Sequence, residues 1–220
     1  MYLPDDKRGP AASVSTPRTR RPTKRALAKA RTKARVLDAA RELFVTRGFE
    51  ESTIRDIAAT AGLSTGAVFG SFSDKNQLFD AVMMASFKEA FEAASSVQGH
   101  AELGAAEALS AMFGAAYRHF GSQLALVRAS QAQCWSRPEC AHLFETAVAR
   151  GRGLVELTLH KAVKAGELSD TLDAGLLADM LMDLYIANYR RAVFDGWTAE
   201  ALEARTLAQA RALLCGHLRR

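Results

Sequence analysis

The chain has 220 residues, a net charge of +5, 49% hydrophobic and 24% charged residues, and three cysteines. This suits a soluble protein of one or two small domains, and no run approaches the 18 apolar residues of a transmembrane helix. An odd cysteine count without a CxxC pair argues against a disulfide framework, and a Pro- and Arg-rich start without an apolar stretch argues against a secretion signal. Both point to the cytoplasm.

The charge is uneven. Residues 1–35 hold eleven Lys or Arg against two Asp, so the remainder is mildly acidic. Such asymmetry suggests a polyanion bound at one end. Residues 1–24 contain four of the five prolines and no hydrophobic period, and are expected to form a disordered basic arm.

From about Lys24 the pattern is helical. Val36, Ala40, Leu43 and Phe44 lie on one face, and Gly48 supplies a stop. Thr53 opens a second helix, with Asp56 completing a variant capping box and Ile54, Ile57, Ala58 and Ala61 forming its apolar stripe. Gly62 ends it, Leu63 plugs the core, and Ser64 caps a third helix of barely two turns. Phe72 closes the small core. Ser73 is expected to cap a fourth helix running to about Ser95, with Leu78, Phe79, Val82 and Met83 inward. Further helices are expected at 102–120, 123–136, 139–165, 172–194 and 199–218. With no alternating β pattern, the predicted class is all-α: a helix-turn-helix domain over 25–80, then a helical bundle over 81–220.

Two helices around a Gly-containing turn, the second very short, are the signature of a helix-turn-helix. Its logic is a helix tip offered to the major groove, with amide and hydroxyl groups near phosphate oxygens. Thr65, Gly66, Ala67, Phe69, Gly70 and Ser71 would lie on or near the groove face, and Val68 and Phe72 inside. Lys75 begins the fourth helix, where a cation opposes the local dipole; a phosphate contact would explain it.

The stretch ARELFVTRGFEESTIRDIAATAGLSTGAVFGSFSDKNQLFDAV, residues 40–82, resembles the DNA-binding domain of the TetR/AcrR family of bacterial transcriptional regulators. The anchors are Phe44, Arg47-Gly48-Phe49, Thr53, Ile57-Ala58, Ala61-Gly62, Ser64, Gly66, Phe69, Phe72, Asp74-Lys75 and Leu78-Phe79. The resemblance implies a homodimer on a palindromic DNA operator, acting as a repressor released by a small-molecule effector held in the C-terminal domain. It places Thr53, Arg55, Ser64, Thr65, Gly66, Ala67, Phe69, Ser71 and Lys75 at DNA-facing positions. The chain departs from the family in having Phe69 for the usual Tyr, Gly70 for a bulkier residue, and Ser71 for His. With so little side-chain area for base contacts, the arm residues Arg18, Arg20, Arg21, Lys24 and Arg25 are expected to compensate in a minor groove. A solvated tail without a DNA role is the alternative.

The bundle offers Met112, Phe113, Tyr117, Phe120, Trp135, His142, Leu181, Tyr185 and Asn188 as candidate effector-binding residues. Ordinary core packing would produce a similar stripe. His142, Cys134 and Cys140 match no ordinary metal spacing, so neither metal nor cofactor is expected. Leu176, Leu177, Met180, Leu181, Leu184 and Tyr185 cover more than one face of 172–194, and Leu207, Ala210, Leu214 and Leu218 repeat along 199–218. These two helices are the expected homodimer surface. No hydrolase elbow, P-loop, dinucleotide fingerprint or zincin motif is present, which argues against an enzyme. The remaining alternative is a dimeric DNA-binding regulator without a small-molecule effector, controlled by a protein partner.

Overall fold

The computed structural model describes residues 23–97 and 103–219, apart from the side chains of 135, 138–141 and 143. Among the described residues there are nine α-helices and no strand, with a single bridge between Leu168 and Leu218. The helices are α1 (Lys24–Thr46), α2 (Ile54–Thr60), α3 (Thr65–Phe69), α4 (Lys75–Ser96), α5 (Ala105–Gly121), α6 (Leu124–Ser136), α7 (Pro138–Lys164), α8 (Ala174–Asp195) and α9 (Ala199–Leu214).

The N-terminal helices form because short-range signals agree with burial. Thr23 caps α1 by accepting from the Ala26 amide at 3.2 Å. Val36, Ala39, Ala40, Leu43 and Phe44 form the buried stripe of α1. Gly48, at φ +93°, lets the chain leave the helix in a conformation that L side chains rarely adopt. A reciprocal capping box between Thr53 and Asp56 opens α2, and Gly62 at φ +62° turns the chain toward α3. The Arg35 guanidinium, reaching across from α1, donates to the Ala61 carbonyl and fixes this turn. Val68 and Phe72 insert beside Ile57, and the Phe44, Phe49 and Phe79 rings pack with centroids 4.7–5.7 Å apart.

The cap of α4 differs from the expectation at Ser73. Asp74 is the N-cap and accepts from the Gln77 amide at 2.8 Å. Ser73 supports it: its hydroxyl donates to the Asp74 carboxylate and its amide donates to Gln77 Oε1. Of two adjacent cap formers, the carboxylate is the stronger acceptor at a helix start.

Beyond α4 the helices wrap around α5, which packs against α4 on one side and α9 on another, while α8 lies between α7 and α9. Gly196, at φ +69°, ends α8 as a left-handed cap. The last helix is shorter than expected. After Leu214 the chain tightens into a 3-10 turn, Cys215–His217, and Leu218 pairs with Leu168 instead of extending α9. Gly216 weakens the helix there, and the backbone bonds Ser169 N–His217 O (2.8 Å) and Arg219 N–Glu167 O (3.0 Å) offer an alternative.

Two ion pairs fasten the elements around α4. Arg41 on α1 makes a bidentate pair with Glu89, both bonds 2.8 Å. Arg137, at the α6–α7 junction, holds Asp80 through contacts of 3.1 and 3.3 Å.

Candidate nucleic-acid interface and effector cavity

Thr53, Arg55, Ser64, Thr65, Gly66, Phe69 and Gly70 are exposed together, and Ala67 and Ser71 half-exposed, at the end of the molecule formed by α2 and α3. Phe69 is 55% exposed, while its neighbour Val68 is fully buried. The helix therefore turns its aromatic outward and its β-branched residue inward. Both capping hydroxyls are engaged. Thr53 donates to Asp56 Oδ2 at 2.6 Å and accepts from the Asp56 amide; Ser64 accepts from the Ala67 amide at 3.2 Å. The two hydrogen bonds from Thr53 hold the Asp56 carboxyl below its usual range. Lys24 and Arg25 are exposed in the first turn of α1. Arg18, Arg20 and Arg21 lie outside the described residues.

Lys75 has partners within the chain. Its ammonium donates to the Phe49 carbonyl at 2.9 Å and the Glu50 carbonyl at 3.3 Å, and sits 4.3 Å from the centre of the Phe49 ring. The turn between α1 and α2 thus supplies carbonyl and ring partners for this cation.

A cavity of about 110 Å³, partly open to the surface, lies between α4, α5, α6, α7 and α8. Four of the nine candidate effector residues line it: Met112, Phe113, Phe120 and Tyr185. Four others do not. Leu181 is buried in the ordinary core and His142 is exposed. Tyr117 and Asn188 belong to a separate polar knot. Asn188 donates to the Tyr117 hydroxyl at 3.2 Å and to Gln209 Oε1 at 2.9 Å, and accepts from Arg205 Nε at 3.1 Å. The Trp135 side chain lies outside the described residues.

Sequence reasoning missed the contribution of α4, whose Met83, Phe87, Ala90, Phe91 and Ala94 form a whole wall. The signal was legible, because these positions continue the 3.6-residue stripe of Phe79 and Val82 toward the C-terminus of the helix. The aromatic floor is tightly arranged. Phe113 stacks on Tyr185 at 4.9 Å, and Phe87 meets Phe120 and Phe144 edge-on at 6.0 and 5.9 Å. Burial pushes the Tyr185 and Tyr189 phenols up, so both stay neutral, and their hydroxyls lie 2.8 Å apart.

On the outer side of α8, Leu176 is 57% and Phe194 70% exposed, with Met180 between them. The apolar repeat of α9 faces the other way. Ala210 and Leu214 are buried within the chain's own bundle, Leu207 packs against it, and α9 exposes Ala204, Ala208 and Ala212 instead. Leu207, Ala210 and Leu214 are accounted for by packing within the bundle, while Leu218 lies exposed beyond the helix.

Residues 36–82 match the family model for bacterial regulatory proteins of the tetR family. The chain is similar to the HTH-type transcriptional regulator UidR of Escherichia coli K12, 25% identical over 160 residues, which are 70% of this chain and 77% of UidR. A shorter stretch of 44 residues, 20% of this chain, is 46% identical to 23% of the transcriptional repressor AcnR of Corynebacterium diphtheriae. The fold is that of the fatty acid degradation regulator FadR from Bacillus halodurans, with a TM-score of 0.69, 16% identity, and coverage of 81% of this chain and 94% of FadR.

Proposed function

We propose that the chain is a transcriptional regulator of the TetR family, a cytoplasmic repressor that binds a palindromic operator as a homodimer and leaves it when a small molecule enters the bundle. One observation carries this reading. A single uninterrupted helix, α4, is seated on the helix-turn-helix at its first turns and forms a wall of the cavity from Met83 to Ala94. A ligand that displaces Phe87 or Phe91 acts on the same helix whose first turns pack against α1, which itself contacts α2 and α3. Two recognition helices must sit about 34–36 Å apart to enter successive major grooves, so a small tilt of α4 is enough to break register.

In this reading residues 1–24 are a basic arm, 25–80 the DNA-binding domain and 81–220 the effector-binding and dimerisation domain. DNA meets Thr53, Arg55, Ser64, Thr65, Gly66, Ala67, Phe69 and Ser71, with Lys24, Arg25 and the arm arginines Arg18, Arg20 and Arg21 on flanking phosphates or a minor groove. Lys75 acts indirectly, by fixing the α1–α2 turn. The dimer forms mainly through α8, whose Leu176, Met180 and Phe194 are exposed among the described residues, while the exposed alanines of α9 let a symmetry-related helix approach closely. The cavity supports a small-molecule effector over control by a protein partner, because a bundle serving only to dimerise has no need of an unfilled interior.

The test is selection of bound duplexes from a random pool, with light scattering of the free protein. Enriched sequences with two-fold symmetry and a dimeric mass are expected. No retardation of any duplex at low salt, or a monomer at micromolar concentration, refutes the proposal.

A further inference from the structure

The cavity wall carries a chemical selectivity. None of the described residues lining it is Asp, Glu, Lys, Arg or His. Its hydroxyls already have partners: Ser130 donates to the Val127 carbonyl at 2.8 Å, and the Tyr185 and Tyr189 hydroxyls are 2.8 Å apart, with Tyr189 also 3.4 Å from the Ala116 carbonyl. Gln131 adds one amide. Arg41 on α1 and Arg118 on α5 are already paired, with Glu89 and Glu203. A carboxylate or ammonium brought against such a wall would lose part of its hydration without gaining a counter-charge from the described residues. A ligand rich in hydrogen-bonding groups would face the same difficulty on a smaller scale.

Building on the reading of this cavity as the effector site, we infer that the effector is an uncharged, hydrogen-bond-poor molecule of hydrocarbon character, about the size of one aromatic ring in the cavity as it stands. An apolar cavity of about 150 Å³ stays dry and accepts benzene, which sets the scale for the 110 Å³ here. Ring edges and faces from Phe87, Phe113, Phe120 and Tyr185 suit an aromatic guest in offset or edge-on contact. Met83, Met112 and Met182 also line the wall, and their unbranched thioethers can repack around a substituent.

The experiment compares toluene, benzoate and benzylammonium, which share a ring and differ in charge, against the full chain by thermal shift and calorimetry. Toluene is expected to raise the melting temperature and to bind at least tenfold more tightly than either ion. Ala147→Phe and Val148→Trp fill the cavity from α7, and each variant that keeps the wild-type circular dichroism is expected to lose the toluene shift. Benzoate or benzylammonium binding as well as toluene overturns the ligand class while leaving the effector site itself intact. A toluene shift that survives both filling variants places binding elsewhere and overturns the inference. If none of the three compounds binds, the inference falls.

Discussion

Lys75→Met separates two explanations of one cation. The substitution keeps the apolar stem against Phe49 and removes the ammonium that reaches the Phe49 and Glu50 carbonyls at 2.9 and 3.3 Å. A hydrogen bond from a charged donor contributes about 1.5–3 kcal/mol, and a cation over a ring at a part-exposed site about 0.5–1 kcal/mol. Lys75 is half-buried, so the lower ends apply, and the expected loss is about 2 kcal/mol. For a chain of this size that lowers the melting temperature by about 4–8 °C. Operator binding provides the second measurement. Each phosphate contact contributes about 0.9 to the slope of log affinity against log salt. A dimer losing two Lys75 contacts to phosphate would lose about 1.8 from that slope. The structure predicts the reverse pattern: a clear fall in melting temperature with the salt slope unchanged. A slope reduced by about two with a wild-type melting temperature would refute the argument and make Lys75 a phosphate ligand.

Asn188→Leu removes hydrogen bonds to Tyr117, Gln209 and Arg205 at similar volume, and urea titration should show a loss of about 2–3 kcal/mol, since the buried Tyr117 hydroxyl then keeps only longer contacts. Stability should also fall with acid in two steps. Burial holds His119 below its ordinary 6.5, and the Arg41 hydrogen bonds hold Glu89 below its ordinary 4.5. Both folded-state values are depressed, so each contribution is complete above the ordinary value and is lost as pH falls through the folded one. His119→Gln should flatten the first step and Glu89→Gln the second, each by less than about 1 kcal/mol because Glu89 is part-exposed and screened. Phe69→Tyr should tighten operator binding about five- to 150-fold in a gel-shift titration by adding a hydroxyl near a phosphate in each subunit of the dimer, each worth about 0.5–1.5 kcal/mol. Phe69→Ala should weaken binding without changing thermal stability, as the ring is largely outside the core.

The sequence alone determined the local devices, because their causes lie within a few residues. The Thr53–Asp56 capping box, the Ser64 cap, the turn at Gly62 and the inward Val68 and Phe72 are all short-range, and each stands where the pattern put it. Even there, the choice between Ser73 and Asp74 as cap depended on two acceptors one residue apart. Partnership across the fold was not legible in the same way. Lys75 meets carbonyls 25 and 26 residues earlier, and Asn188 joins residues on α5 and α9. A helical stripe reveals that a face is buried but not against what. The stripe of α9 therefore turned out to belong to its own bundle, and that of α4 to a cavity wall. Only packing decides which apolar residues meet each other and which are left facing an unfilled space, because the hydrophobic effect itself is non-directional.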